Sequence, residues 1–546
     1  MRGMGESGEP AAGGGDWRRW RWLPLAAAAL ACLGFALGEL RPPLGELGLP
    51  LDDSWIHLHF ARQIAAGEGL SYNPGRWISG STSPLWTALL ALCFLLPGPV
   101  LVWVKLLGAL FFLATVDATH RLGRALGLGD ALALLAAGLV ATTYWLVWSA
   151  LSGMEVALFA ALSLWGMRLQ VDERRTPGAP PAGLALLAIA ALARPEGYLL
   201  LALAAADRLV LWRRTAAGVL RLRLGDLRSL AEGLVLVALV LAPTLAFYRA
   251  VGGSVLPTTF AVKASPPAGP WPDGRYLRVV ADVLFRSQPI ALLAAGAGVA
   301  RLSAVLGTER DRGLLPALWL AGLPLAYATI TPSNGVPAVG NFGRYYFPLL
   351  PVVALLGLHG LAAAGRQLPR WLELAGRRLA LAAVAAALLL LPQLWGVIAG
   401  RPHYLTTIAN VQQSDVAAAR WLAPRLPPQA RLAVQDAGAL KFFLPNEILD
   451  LAGIVTPEIL PFLHGSAAAE ETYWEDRLLA FLSATQPDYL VVFPASYPKL
   501  TSRVPGFVAL KSFAVENNVT MAGDRLVVFA TPWNRHPLRP APPRRP

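Results

Sequence analysis

Eleven apolar blocks, most of them near the length of a bilayer-crossing helix, run through this chain between short arginine-rich loops. A helix needs about 20 apolar residues to cross a hydrocarbon core. The blocks lie near 22–40, 100–119, 129–149, 154–169, 182–194, 197–212, 230–248, 286–304, 314–332, 344–364 and 379–398. They are continuous Leu/Ala runs, so a β-barrel, which needs short alternating segments, fits poorly. Hydrophobic residues make up 55% of the 546 and charged ones 15%, against about 25% charged in soluble domains. The expected fold class is an α-helical polytopic membrane protein with about 11 spans.

The block 84–97, "PLWTALLALCFLLP", lies between prolines and is too short for a crossing. Read as re-entrant or interfacial, with residues 1–21 as a cytoplasmic tail, it leaves the basic loops on one side: Arg18/Arg19/Arg21, Arg121/Arg124, Arg174/Arg175, Arg213 to Arg228, Arg310/Arg312 and Arg366 to Arg378. Counted as a crossing, it would move most of them outside, against the positive-inside rule. The net charge of +13 therefore points to membrane lipids as partners and to no nucleic acid. The first apolar block is expected to be an uncleaved span, not a signal peptide. Cys32 and Cys93 both lie in apolar runs, which gives no disulfide framework.

Residues 22–398 form the expected membrane domain, with an outer loop at 41–83. Residues 399–535 differ in kind. "ARLAVQDAGAL", "NEILDLAG", "PDYLVVF" and "DRLVVFATP" are short β-rich runs between helical stretches at 412–424 and 472–485. They predict an extracytoplasmic α/β domain. The proline-rich residues 536–546 read as a disordered tail.

Chemistry-bearing residues collect on the outer side. In "LDDSWIHLHFARQIAAGEGLSYNPGRWISGSTSPLW", Asp52 and Asp53 stand at the start of a helical pattern. Either suits a general base on an acceptor hydroxyl, or a divalent metal site with a second acid; the plainer alternative makes Asp53 a helix N-cap. His57 and His59 lie about 200° apart on a helix, which argues against a two-histidine metal grip.

The pattern DD-x-W-I, A-R-x-I-A-x-G-x-G, N-P-G and S-G-S-T-S-P-L-W resembles the first outer loop of GT-C superfamily glycosyltransferases. It is closest to the branch of the mycobacterial terminal arabinofuranosyltransferases, and more distantly similar to protein O-mannosyltransferases and lipid A aminoarabinose transferases. The resemblance covers about 22–398 and, more loosely, the outer domain. It implies a hexosyl- or pentosyltransferase of the inner membrane. Such an enzyme passes a sugar from a polyprenyl-phosphate donor to an envelope glycan, glycolipid or protein acceptor. An Asp of the pair Asp52–Asp53 would be the catalytic base. "ALSGMEVAL" supplies the second acid, Glu155, with Asp52 and Glu155 as metal ligands if a divalent metal is used. Arg194 of "RPEG", Lys263 of "YRAVGGSVLPTTFAVK" and Arg344 of "GRYYFPLLP" would meet the donor phosphate. Each has a structural alternative: a first-turn acid at Glu155, a hairpin clamp at Arg194, and snorkelling at Lys263 and Arg344. Asp436 and Asp450 read either as structural loop residues at strand ends or as residues bordering an acceptor groove.

Two other functions compete. A transporter or flippase of lipid-linked sugars would carry ionisable groups along a path through the membrane, but Lys105 and Asp117 are the main ones here and no internal repeat stands out. A non-catalytic envelope assembly protein would have far more spans than an anchor needs.

Overall fold

The computed structural model describes residues 17–176, 178–214, 220–224, 227–259, 272–330, 341–365, 375–463 and 474–540. Five stretches are long and apolar enough to cross a bilayer: Trp22–Glu39, Val100–Ala125, Leu227–Gly252, Gly343–Gly365 and Ala380–Leu422. Counting each of two bent helix pairs as one span raises the number to seven. The chain is a multi-pass membrane protein. The other four expected spans are helices too: Val156–Arg174, Ala182–Ala193, Glu196–Leu209 and Leu315–Ile330. At 1.5 Å per residue, Ala182–Ala193 and Glu196–Leu209 are about 18 and 21 Å long, short of a core about 30 Å thick.

Both bent pairs follow from local chemistry. The block read as one span at 129–149 breaks by 58° between Asp130–Ala141 and Tyr144–Leu151. There the Thr142 and Thr143 hydroxyls donate back to the Gly138 and Leu139 carbonyls, at 2.8 and 2.7 Å, which draws the chain out of the helix. The helix Pro289–Ala304 meets Gly274–Ser287 at 110°, where Pro289 can begin a helix but not continue one. The helix Gly274–Ser287 lies almost entirely between two of the expected spans, outside their apolar blocks. Its buried positions Tyr276, Val280 and Leu284 lie four apart on one face. The block 84–97 forms the 10-residue helix Pro84–Cys93, about 15 Å long.

Small residues let the spans approach closely. A Cβ at Gly298 would lie 1.9 Å from the Leu356 carbonyl oxygen, and one at Gly360 2.0 Å from that of Ala294. Close backbone approach of this kind gives apolar helices the packing that lipid alone would not drive. At one end of the bundle Arg174 pairs with Asp207 (3.0 Å) and reaches Asp311 (3.4 Å), and Arg208 pairs with Glu173 (2.5 Å). Two of the basic loops expected on one side, at Arg174/Arg175 and Arg310/Arg312, therefore meet there, together with the end of the helix Glu196–Leu209.

Lys105 lies deep in the bundle, but it is saturated. Its ammonium meets Glu39 Oε1 (2.8 Å), the Tyr404 hydroxyl (2.9 Å) and the Leu151 carbonyl (3.1 Å). Glu39 in turn accepts from Tyr404 (2.6 Å) and from the Gly48 amide (3.0 Å). This group ties four spans together, Trp22–Glu39, Val100–Ala125, the bent pair that ends at Leu151 and Ala380–Leu422. Asp117 pairs with Arg121 one turn on, at 2.6 Å.

The C-terminal unit is a five-stranded mixed sheet. In spatial order its strands are Ile448–Asp450, Leu432–Val434, Tyr489–Val492, Arg525–Ala530 and Val508–Ala514. The first three are parallel and the last two antiparallel. Val508–Ala514 was not expected as a strand. It is an edge whose side chains are nearly all exposed, so it lacks the apolar alternation of a buried strand. Two features lie at the expected boundaries. The helix Ala375–Val411 runs unbroken through the expected boundary at 398/399. The tail expected from 536 is packed through 540: His536 Nδ1 meets Asp488 at 3.0 Å, and the Arg539 amide donates to the Arg425 carbonyl at 2.8 Å. Residues 541–546 lie outside the described residues.

Candidate active site

The outer loop begins with the helix Asp52–Ala65. Leu51, not Asp53, holds its N-cap position, and Asp52 and Asp53 form the first turn. Adjacent helical residues point about 100° apart, so the two carboxylates reach different parts of the molecule.

Asp53 pairs with the Arg344 guanidinium. Arg344 lies in the turn Asn341–Leu349, which enters a late span. Its side chain is 5% exposed, against 30% for Asp53, so Asp53 opens the pair to its surroundings. Nε and Nη1 of Arg344 are buried with no hydrogen-bond partner among the described residues. Buried guanidinium donors left unmatched are costly, and an anionic ligand would satisfy them.

A second cluster lies beside this pair. Arg194 sits in the turn between Ala182–Ala193 and Glu196–Leu209 and meets two carboxylates. Nε and Nη2 donate to Glu196 at 3.1 and 2.5 Å, and Nη1 donates to Glu155 Oε1. Glu196 also accepts from the Tyr327 hydroxyl at 2.9 Å. Tyr327 stacks on Tyr345, ring centroids 5.7 Å apart. The Tyr345 ring lies under both guanidiniums, 5.2 Å from Arg194 and 5.6 Å from Arg344. Glu155 Oε2 lies 3.5 Å from His57 Nε2. His57 Nδ1 is 3.4 Å from the Thr87 hydroxyl, which lies 2.9 Å from that of Ser81.

Asp53, Glu155, Arg194 and Arg344 thus converge with Glu196, Tyr327, Tyr345 and His57. Lys263 lies outside the described residues. His57 was the residue least legible as part of the site. Its signal was its place four residues after Asp53, on the same face of one helix. His59 points elsewhere, with Nε2 2.9 Å from the Tyr72 carbonyl, and burial lowers its pKa to about 3.

Asp52 turns to the C-terminal unit. Its Oδ2 accepts from the Gly438 amide (2.6 Å) and its Oδ1 from Ala439 (2.7 Å). The donor set does not fit the expected metal pair of Asp52 and Glu155. Both Asp52 oxygens are engaged by backbone amides and Glu155 by Arg194, and no group of three or more His, Cys, Asp or Glu among the described residues could hold an ion.

Burial raises the Asp52 pKa to about 7 against the lowering pull of the Ala439 and Gly438 amide bonds, and the neighbouring charges of Asp53 and Asp450 add to the rise. Burial also lifts Asp450 to about 6, although its carboxylate accepts from the Val455 and Ala452 amides. An unfolded aspartate titrates near 3.9, so between about pH 4 and 7 the folded chain binds more protons than the unfolded one. Stability contributed here is greatest at the acid end and falls as pH rises through 7. Lys441, lowered to about 8 by burial, acts in the opposite sense only above that value. Amides 437–444 should therefore exchange more slowly at pH 6 than at pH 8, after correction for intrinsic exchange. Equal or faster corrected exchange at pH 6 would rule out a buried, ionised Asp52.

Comparison with known proteins bears on the fold. Residues 406–529 match a family described as a domain of unknown function, DUF8728. No curated protein matches the sequence. Among solved structures, ArnT from Cupriavidus metallidurans bound to undecaprenyl phosphate is similar at a TM-score of 0.56 and 14% identity, over 94% of this chain and 98% of that one. The Archaeoglobus fulgidus oligosaccharyltransferase AglB, in complex with an inhibitory peptide and a dolichol-phosphate, is similar at 0.55 and 12%, over 88% and 70%. The oligosaccharyltransferase of that organism tethered to an acceptor peptide gives 0.56 and 12%, over 95% and 78%. At these identities the likeness is one of fold, and the chain has the GT-C fold that these glycosyltransferases share.

Proposed function

We propose that this protein is an integral membrane glycosyltransferase that moves a sugar from a polyprenyl-phosphate donor to an acceptor at the outer face. The observation that carries this reading is the Asp53–Arg344 pair, an accessible carboxylate beside a buried guanidinium with two nitrogens unsatisfied among the described residues. The fold fits, since similar structures hold undecaprenyl phosphate in one case and a dolichol-phosphate in another.

In this mechanism the donor phosphate settles on Arg344 and draws the guanidinium from Asp53, which breaks that ion pair. Asp53 takes the proton of the acceptor hydroxyl as that oxygen attacks the anomeric carbon. The bond from that carbon to the phosphate oxygen breaks, and its electron pair stays on the phosphate. Arg344 stabilises the charge that develops there. Displacement in one step inverts the anomeric centre. Glu155, Arg194 and Glu196 hold the wall of the site, with His57 beside Glu155. Arg194 spends its donors on two carboxylates, so Arg344 is the better phosphate ligand; Lys263 remains a second candidate from its place in the sequence.

The topology proposed with this function has eleven spans, a cytoplasmic N-terminus, an extracytoplasmic C-terminal unit and a non-crossing 84–97. The junction of Arg174, Asp207 and Asp311 supports it, because these basic loops meet at one end. Placement in a bacterial inner membrane is part of the same proposal.

Arg344→Gln tests the reading. A hydrogen bond to a charged group contributes about 1.5–3 kcal/mol, so the purified variant should bind undecaprenyl phosphate about 10- to 100-fold more weakly. Unchanged affinity, in a variant with the parent's thermal stability, would remove Arg344 from the donor site.

A further inference from the structure

We propose that Asp52 is a positioning residue that couples docking of the C-terminal unit to the placement of Asp53 beside Arg344. This inference rests on the reading of Asp53 as the base and deepens it.

The first turn of Asp52–Ala65 is held from two sides. Asp53 is fixed to the membrane domain through Arg344, and its neighbour Asp52 to the C-terminal unit through the Gly438 and Ala439 amides. The approach leaves no space: a Cβ at Gly438 would lie 2.1 Å from the Asp52 carbonyl oxygen and 2.8 Å from its Oδ1. A displacement of residues 438–439 is therefore transmitted to the peptide that carries Asp53.

The rest of the interface is made by other residues and does not need Asp52. The Tyr72 hydroxyl donates to the Ala437 carbonyl (2.8 Å), and Asn73 exchanges two hydrogen bonds with the Ile448 backbone (2.9 and 3.1 Å). Arg62 donates to the Phe442 carbonyl (2.8 Å) with its guanidinium over the Phe442 ring, and Trp55 packs on Phe442 and Phe443. These contacts keep the unit docked when the Asp52 bonds are lost, so a variant there should fold and lose alignment alone. Misplacement of a reacting group by about 1 Å can cost about 100-fold in rate.

The experiment uses the full chain with Asp52→Ala, Gly438→Ala and Asp53→Asn. Three quantities are read: exchange of amides 437–444, affinity for undecaprenyl phosphate, and product formation in cells lacking the native copy, followed by mass spectrometry of envelope glycans and glycolipids. D52A and G438A should both speed exchange at 437–444 and lower product formation about 100-fold, with affinity for undecaprenyl phosphate within about twofold of the parent. G438A keeps both carboxylates, so its loss of product would come from docking alone. Faster exchange with full product formation in G438A would overturn the proposal. So would loss of product in D52A with unchanged exchange, because Asp52 would then act on the substrate directly. Failure of the underlying reading shows separately, as full product formation by D53N with normal exchange.

Discussion

Asp53→Asn should form product about 100- to 10,000-fold more slowly than the parent, the range that a positioned general base contributes. Asn keeps the shape of the side chain but cannot take the acceptor's proton. It also removes the charge that holds Arg344, so the guanidinium keeps its buried, unmatched nitrogens and gains another. Affinity for undecaprenyl phosphate should then be equal to the parent's or tighter, because the phosphate no longer competes with a carboxylate. A fall in product together with retained or improved donor binding is the signature of a base paired with a phosphate ligand. A D53N protein that loses donor binding and product in parallel would instead make Asp53 a binding residue. Full product formation would remove it from the chemistry.

Much of the fold was legible because span length and loop charge act locally. The helix Trp22–Glu39 and the start of Val100–Ala125 fall where apolar blocks placed them. The block 84–97 was read as short of a span, and it forms the 10-residue helix Pro84–Cys93. Elements without a continuous apolar run escaped. Gly274–Ser287 is amphipathic, and Val508–Ala514 is an exposed edge. The candidate site was legible as residue types and loops. The pairing was not, because it is set across the fold: Asp53 meets Arg344 291 residues later, and Asp52 meets Gly438 386 residues later. In the sequence the two aspartates are interchangeable. A rotation of about 100° between neighbouring helical positions sends one to the C-terminal unit and the other to the guanidinium. Tyr345 was equally hidden, since its ring serves both arginines only once two distant turns are brought together.

Arg194→Met should destabilise the protein by about 3–5 kcal/mol, the cost of breaking a buried ion pair by removing one partner. Arg194, Glu155 and Glu196 are 3%, 4% and 6% exposed, so none recovers its solvation when the pair is broken. The guanidinium neutralises two carboxylates at once, and its loss leaves both buried with like charge in one cluster. Tyr327 can still donate to Glu196, and His57 still lies by Glu155, but neither replaces a cation bonded to both. Thermal unfolding in detergent should show a lowered midpoint, and adding Glu196→Gln to Arg194→Met should recover part of the loss by removing one of the stranded charges. The double-variant cycle separates that coupling from simple loss of packing. Arg194→Lys gives a further distinction. Lysine keeps the charge but not the forked geometry that serves both carboxylates, so it should also lower the midpoint while binding undecaprenyl phosphate normally. A lysine variant with unchanged stability and selectively weakened lipid-phosphate binding would move the donor site from Arg344 to Arg194, and the stability loss is what keeps the two arginines' roles apart.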